Sequence, residues 1–194
     1  MKILYELFAV VITATITENL IFARALGVDG IIKRTRSYRN IIRLGLMTCA
    51  VSVLGGIFCY FFKHILSQYH WWGLFRGAFV LLSVILAYFI ITLLLGLRKL
   101  RTEHELPVIG AFSGATVGAV LVALLSTETF FQTIAYCIGC SLGLMIAMML
   151  IHSGRERLEL CKVPRAFSGL PITMVYIGIL SLAIYGLIGH QLPT

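Results

Sequence analysis

The chain reads as an all-α membrane protein, a bundle of six transmembrane helices in one domain over residues 1–194. Three observations predict this. Hydrophobic residues make up 59% of the chain and charged ones 12%, against roughly 25% charged in soluble domains. Six apolar stretches reach or approach the ~20 residues a helix needs to cross a bilayer. The basic residues also gather on alternate loops, as they do when loops sort to opposite membrane faces.

The first span is read near Leu4–Phe22 and is irregular. Thr13, Thr15 and Thr17 lead into Glu18 and Asn19, then Arg24 and a Gly-Val-Asp-Gly end. Glu18 falls about 20 Å along the helix from Leu4 at ~1.5 Å per residue, inside the hydrocarbon or at its far edge. An ionisable group at that depth is costly and marks a functional candidate. The plainer reading is that Glu18 pairs with Arg24 or a neighbouring helix, or reaches the interface by tilt. Lys2 before an apolar run has the look of a signal peptide. No small-residue cleavage site follows and Glu18–Asn19 interrupts the run, so the segment is expected to be a retained span.

Spans two and three are read near Ile41–Phe62 and Leu74–Leu95. Span four, near Leu106–Leu125, is the second irregular one. Pro107 suits a first helical turn, and Gly110, Gly114 and Gly118 recur every four residues. Two readings stand: a smooth face for close helix packing, or a helix broken near Phe112–Gly114, tolerated only where protein or water covers the backbone. Spans five and six follow near Phe130–Ile151 and Leu170–Ile188. An irregular span opens each three-span half, about 1–97 and 98–194. Three spans per half is odd, so the second half enters from the opposite side, as in an inverted repeat with discontinuous helices.

Thirteen of the 16 Lys and Arg residues lie on one side, in the loops after spans one, three and five or, for Arg43, at the start of span two. Positive loops stay cytoplasmic, so both termini are expected on the non-cytoplasmic side of a bacterial plasma membrane. The net charge of +8 is thus a topology signal, with the Arg-rich first loop suited to anionic lipid headgroups and no folded basic domain to bind nucleic acid. The five cysteines, Cys49, Cys59, Cys137, Cys140 and Cys161, are odd in number and mostly within spans, so they form no disulfide framework. Cys137 and Cys140 share a helical face, yet one C-x-x-C without a second pair reads as packing rather than a metal site. Cys161 is read as a free thiol. His64, His70, His104, His152 and His190 show no ligand spacing and, with Trp71 and Trp72, read as interfacial.

The C-terminal third, RERLELCKVPRAFSGLPITMVYIGILSLAIYGLIG, resembles the end of the Rnf/Nqr membrane subunits. A short Arg-Glu-Arg segment leads through a Val-Pro-x-x-Phe-x-Gly turn, here Val163, Pro164, Phe167 and Gly169, into the last helix. Span five is similar too, and ENLIFARALGVDG resembles the family's Asn-Asn-Phe-Val-Leu-x-[KR]-Phe-Leu-Gly-x-Cys-Pro segment. The likeness extends over essentially the whole chain. It implies an inverted repeat of three helices in an ion-translocating redox complex, paired with a homologous membrane subunit of opposite topology. Flavin and iron–sulfur subunits would flank the pair, whose four cysteines would hold an intramembrane [2Fe–2S] cluster.

Two departures bear on that last implication. The first cysteine position falls on Asp29, with Gly30 in place of proline, and the second falls on Ser113. Fe–S clusters are held by thiolates, with His an occasional substitute, whereas a carboxylate and a hydroxyl suit harder ions. No cofactor is therefore expected on this chain alone. The first function expected is a membrane subunit of an Rnf/Nqr-like complex with a scaffold or ion-path role, Glu18, Asn19, Asp29 and Ser113 lining the path. The alternative is a stand-alone inverted-repeat cation transporter or channel using the same residues. With no nucleophile–base pair and no cofactor loop, an enzyme acting by itself is disfavoured.

Overall fold

A computed structural model describes residues 2–27, 38–66, 72–97, 113–161, 164 and 167–188. Six α-helices and one π-helical turn make up the regular structure among the described residues, the helices being α1 (Lys2–Ile12), α2 (Tyr38–Leu66), α3 (Trp72–Leu97), α4 (Gly114–Ser126), α5 (Phe130–Glu159) and α6 (Leu170–Ile188). Of these, α2, α3 and α5 have 29, 26 and 30 residues. At ~1.5 Å per residue each exceeds the ~30 Å hydrocarbon core of a bilayer. The α6 helix coincides with the expected sixth span.

Among the described residues the helices of the two irregular spans, α1 and α4, are short. After α1 the chain widens into a π-helical turn, Thr13–Thr17, and leaves helical geometry at Glu18. It then closes one nested turn, with the Ala25 N–H on the Ile21 carbonyl and the Leu26 N–H on the Leu20 carbonyl, both at 2.9 Å. Ala25 and Gly27 take positive φ, +53° and +86°, the left-handed geometry that ends helices. The α4 helix has only 13 residues, about 20 Å, because it starts at Gly114 behind an extended Ser113. The sequence places the start of span four at Leu106; residues 98–112 lie outside the described residues.

The α4–α5 turn is closed at both ends. Lys63 of α2 donates to the Leu124 and Thr127 carbonyls at 3.2 and 3.1 Å, a cation where the α4 dipole is negative. Thr129 and Gln132 form a reciprocal capping box at the start of α5. The Thr127 and Thr133 hydroxyls pair at 2.8 Å across the turn.

Contacts along the helices fix their directions. Tyr38 meets Ser153 at one end of the α2–α5 pair, Ser52 meets Ser141 at 3.0 Å halfway, and Phe61 meets Phe130 at the other end. The numbers rise on one helix as they fall on the other, so α2 and α5 are antiparallel. By the same test α1 runs parallel to α5, Val11 and Ala14 lying on Gly139 and Thr15 on Gly143. The α4 helix runs parallel to α2, from Gly55 against Val120 to Lys63 against Thr127. Exchanging the halves maps one parallel pair onto the other and the antiparallel pair onto itself, the neighbour pattern an inverted repeat requires.

The α4 helix is wedged between two cores. Ala115, Ala119, Val122 and Ala123 pack with the broken first span and α5, while Val120 and Leu124 pack with α2 and α3. Exposed apolar side chains run along α3 (Leu74, Phe75, Leu81, Leu82, Ile85, Phe89) and α6 (Val175, Ile179, Leu182). Such surfaces suit lipid or a neighbouring protein.

Candidate functional site

The broken first span is held by backbone carbonyls of α5. The Asn19 amide donates to the Gly143 carbonyl at 2.9 Å and to the Thr15 carbonyl at 3.0 Å. Its oxygen accepts from the Ile21 and Phe22 N–H groups at 3.1 and 3.5 Å. Asn19 is 5% exposed, so one side chain satisfies both the freed end of the π turn and the next segment. One turn earlier, the Thr15 hydroxyl lies 2.7 Å from the Val11 carbonyl and 3.0 Å from the Gly139 carbonyl. Glycines make this approach possible. A Cβ at Gly139 would lie 2.8 Å from Ala14 Cβ, and one at Gly143 would lie 2.7 Å from the Thr15 oxygen.

Glu18 points to a different place from Asn19. Its carboxylate accepts a hydrogen bond from the Tyr136 hydroxyl. Tyr136 lies about 9 Å into α5 from Phe130, whereas Gly143 is near the middle of that helix. The pairing with a neighbouring helix is therefore the one realised, through a tyrosine. Arg24 is exposed.

The end of the broken first span meets the start of α4. A Cβ at Gly27 would meet Ala115 Cβ at 2.7 Å and Leu144 Cδ1 at 3.3 Å, and one at Gly114 would be 3.8 Å from the Gly27 nitrogen. Leu144 is about halfway along the 30-residue α5, so the junction lies at mid-depth of the bundle. Ser113, 7% exposed, stands at this junction as the N-cap of α4. Its hydroxyl accepts from the Thr116 N–H at 3.3 Å and lies 2.9 Å from Thr116 Oγ1, which donates back to the Ser113 carbonyl at 2.8 Å. Gly118 takes the Leu26 side chain, whose Cδ1 is 2.5 Å from where a Cβ would stand. Gly118 thus seats a close contact, as the packing reading of span four expects, and the helix starts at Gly114; the residues before Ser113, on which the break reading depends, lie outside the described residues. Asp29 and Gly110 lie outside the described residues.

The donor at position 113 is not one that holds an iron–sulfur cluster. Residue 113 offers a hydroxyl already engaged in capping, where a cluster needs a thiolate. Among the described residues no group of three or more His, Cys, Asp or Glu side chains is placed to hold a metal ion. Cys137 and Cys140 are fully buried in the core, and Cys137 Sγ is 2.9 Å from where a Cβ on Gly56 would stand. That is the contact of a small packed side chain.

Comparison with known proteins bears on this geometry. A family model described as "Rnf-Nqr subunit, membrane protein" matches residues 7–190. The chain belongs to the Rnf-Nqr family of membrane subunits. Its relatives include a protein of Syntrophotalea carbinolica named as part of an ion-translocating oxidoreductase complex, 26% identical over 95% of this chain and 97% of the relative. The protein of the same name from Azoarcus sp. is 27% identical over 95% of this chain and 97% of its own length. A relative from Acetobacterium woodii, named as part of a Na(+)-translocating ferredoxin:NAD(+) oxidoreductase complex, is 24% identical over 96% of this chain and 98% of its own. Within this Rnf-Nqr chain, Ser113 is brought to the junction and Asn19 and Glu18 to separate levels of α5. Sequence reasoning misses Tyr136, Gly139 and Gly143. The four-residue spacing of the two glycines on span five, the same spacing that marks span four, is the signal that could have found them.

Proposed function

We propose that this chain is the membrane subunit of an ion-translocating oxidoreductase complex, with a scaffold or ion-path role and no thiolate of its own at the junction. The observation that carries the reading is the meeting of the broken first span with the start of α4 at mid-depth, Gly27 against Gly114 and Ala115, in a chain that matches the family over residues 7–190. In this reading the halves are about 1–97 and 98–194, the partners are a homologous membrane subunit of opposite topology and flavin or Fe–S subunits, and the location is the bacterial plasma membrane. Both termini face away from the cytoplasm. Supporting that orientation, Tyr38 lies on His152, with ring centroids 4.6 Å apart. This brings Arg39 and Arg43 of α2 to the same end of the bundle as Arg155 and Arg157 of α5.

Anaerobic purification from native membranes, with mass spectrometry of whatever co-purifies, tests the reading. Flavin- and Fe–S-binding subunits in stoichiometric amount are the expected result. A homo-oligomer free of redox subunits would contradict it.

One observation favours a second reading, a stand-alone cation transporter: Glu18 keeps a carboxylate within the apolar part of the bundle, against Tyr136, and a carboxylate is a hard ligand suited to a cation. In proteoliposomes that reading requires cation flux from the chain alone, lost in Glu18→Gln. Absence of flux in the wild-type protein removes it.

A further inference from the structure

A cavity of about 280 Å³ opens at the basic end of the bundle, between the end of α5 and the start of α6. It is unrelated to the mid-depth junction. Its lining includes the polar Arg155 and Ser168 and the apolar Leu158 and Ile172. Gly169, at φ +86°, turns the chain into α6 along one side. The Thr173 hydroxyl, also on the lining, donates to the Gly169 carbonyl at 3.0 Å.

Arg155 is the feature that calls for explanation. It is half-buried, and among the described residues it has no hydrogen-bond or ion-pair partner. The adjacent acid, Glu156, faces His152 at 3.5 Å instead. A guanidinium withdrawn from water favours a planar anionic partner, and phosphate oxygens suit its fork of donors.

Depth and shape narrow the anion. The apolar stretch of α5, residues 130–151, covers about 33 Å at ~1.5 Å per residue, close to the hydrocarbon thickness. Arg155 stands about 6 Å beyond its end, the level of lipid headgroups. At ~30 Å³ per water, the cavity has room for about nine waters, more than a phosphate group needs. The remaining space, lined by Leu158 and Ile172, suits the glycerol and first acyl carbons of a lipid. We propose that this cavity binds a phosphate anion, supplied by an anionic phospholipid headgroup, with Arg155 as its charged contact.

The test uses the full chain in detergent and native mass spectrometry, with three probes: phosphatidylglycerol, diacylglycerol, which has the same tails without phosphate, and inorganic phosphate. Phosphatidylglycerol should be retained and diacylglycerol lost. Arg155→Gln should weaken retention roughly tenfold, the loss of one charge-assisted contact, and Arg155→Lys should weaken it less. Ile172→Trp, which fills the cavity at unchanged charge, should also displace the lipid, and decides the matter if Arg155→Gln does not fold. Inorganic phosphate binding as tightly as the lipid and competing with it would overturn the lipid source in favour of free phosphate. Equal retention of phosphatidylglycerol and diacylglycerol, or a folded Arg155→Gln or Ile172→Trp that binds like wild type, would overturn the site.

Discussion

The Asn19 side-chain amide donates to the main-chain carbonyl of Gly143 at 2.9 Å, tying the break in the first span to the middle of α5. A helix can leave its regular path inside a bilayer only if the freed backbone groups find partners. Here one buried amide meets three of them, the Thr15 carbonyl and the Ile21 and Phe22 N–H groups, and a glycine lets it come close enough to α5 to do so.

Asn19→Leu keeps the volume but removes four hydrogen bonds. At the ~0.6 kcal/mol each that side-chain hydrogen bonds average within membrane proteins, the loss is about 2 kcal/mol. The thermal midpoint of the purified protein should fall accordingly. A variant melting with the wild type would show that the break is held by something other than this amide.

Substituting glycines should have opposite signs by position. Alanine favours a helix over glycine by about 1 kcal/mol. At Gly178 nothing lies within 4 Å of the added Cβ, so Gly178→Ala should be neutral or stabilising. At Gly143 the same Cβ meets the Thr15 oxygen at 2.7 Å and Asn19 Nδ2 at 3.0 Å, so Gly143→Ala should destabilise despite the propensity gain. Melting both variants in one detergent checks the contrast, and matching shifts would refute the close α1–α5 contact.

Much of this arrangement is legible in the sequence because it follows from side-chain type and spacing. The apolar runs locate α2, α3, α5 and α6, and the polar Glu18–Asn19 pair marks where the first span leaves helical geometry. The rest depends on backbone groups. The acceptors on α5 are the carbonyls of Gly139 and Gly143, which no residue type announces. Tyr136 is one of 8 tyrosines, and only the packing of α1 along α5 selects it as the partner of Glu18 over Arg24.

Ser113 offers a test of the ligand chemistry. Ser113→Ala removes the α4 cap and should cost about 1 kcal/mol, with Ser113→Thr retaining most of it; thermal midpoints of both variants check this. Asp29→Cys combined with Ser113→Cys restores thiolates at the two positions where the family resemblance implies them. Beside a two-cysteine homologue of opposite topology, that double variant should acquire iron, read by metal analysis and electron paramagnetic resonance. An iron-free complex would contradict the correspondence drawn for positions 29 and 113.

The central claim is that the broken first span touches the start of α4 at mid-depth, and disulfide trapping tests it most directly. In a background with the five native cysteines replaced, Gly27→Cys with Ala115→Cys is oxidised in membranes and assayed by intact mass. Ser52→Cys with Ser141→Cys, whose hydroxyls are 3.0 Å apart in the wild type, serves as the reference pair. The account predicts that both pairs lose hydrogen and close. Closure of the serine pair with the Gly27–Ala115 pair left as free thiols would contradict it.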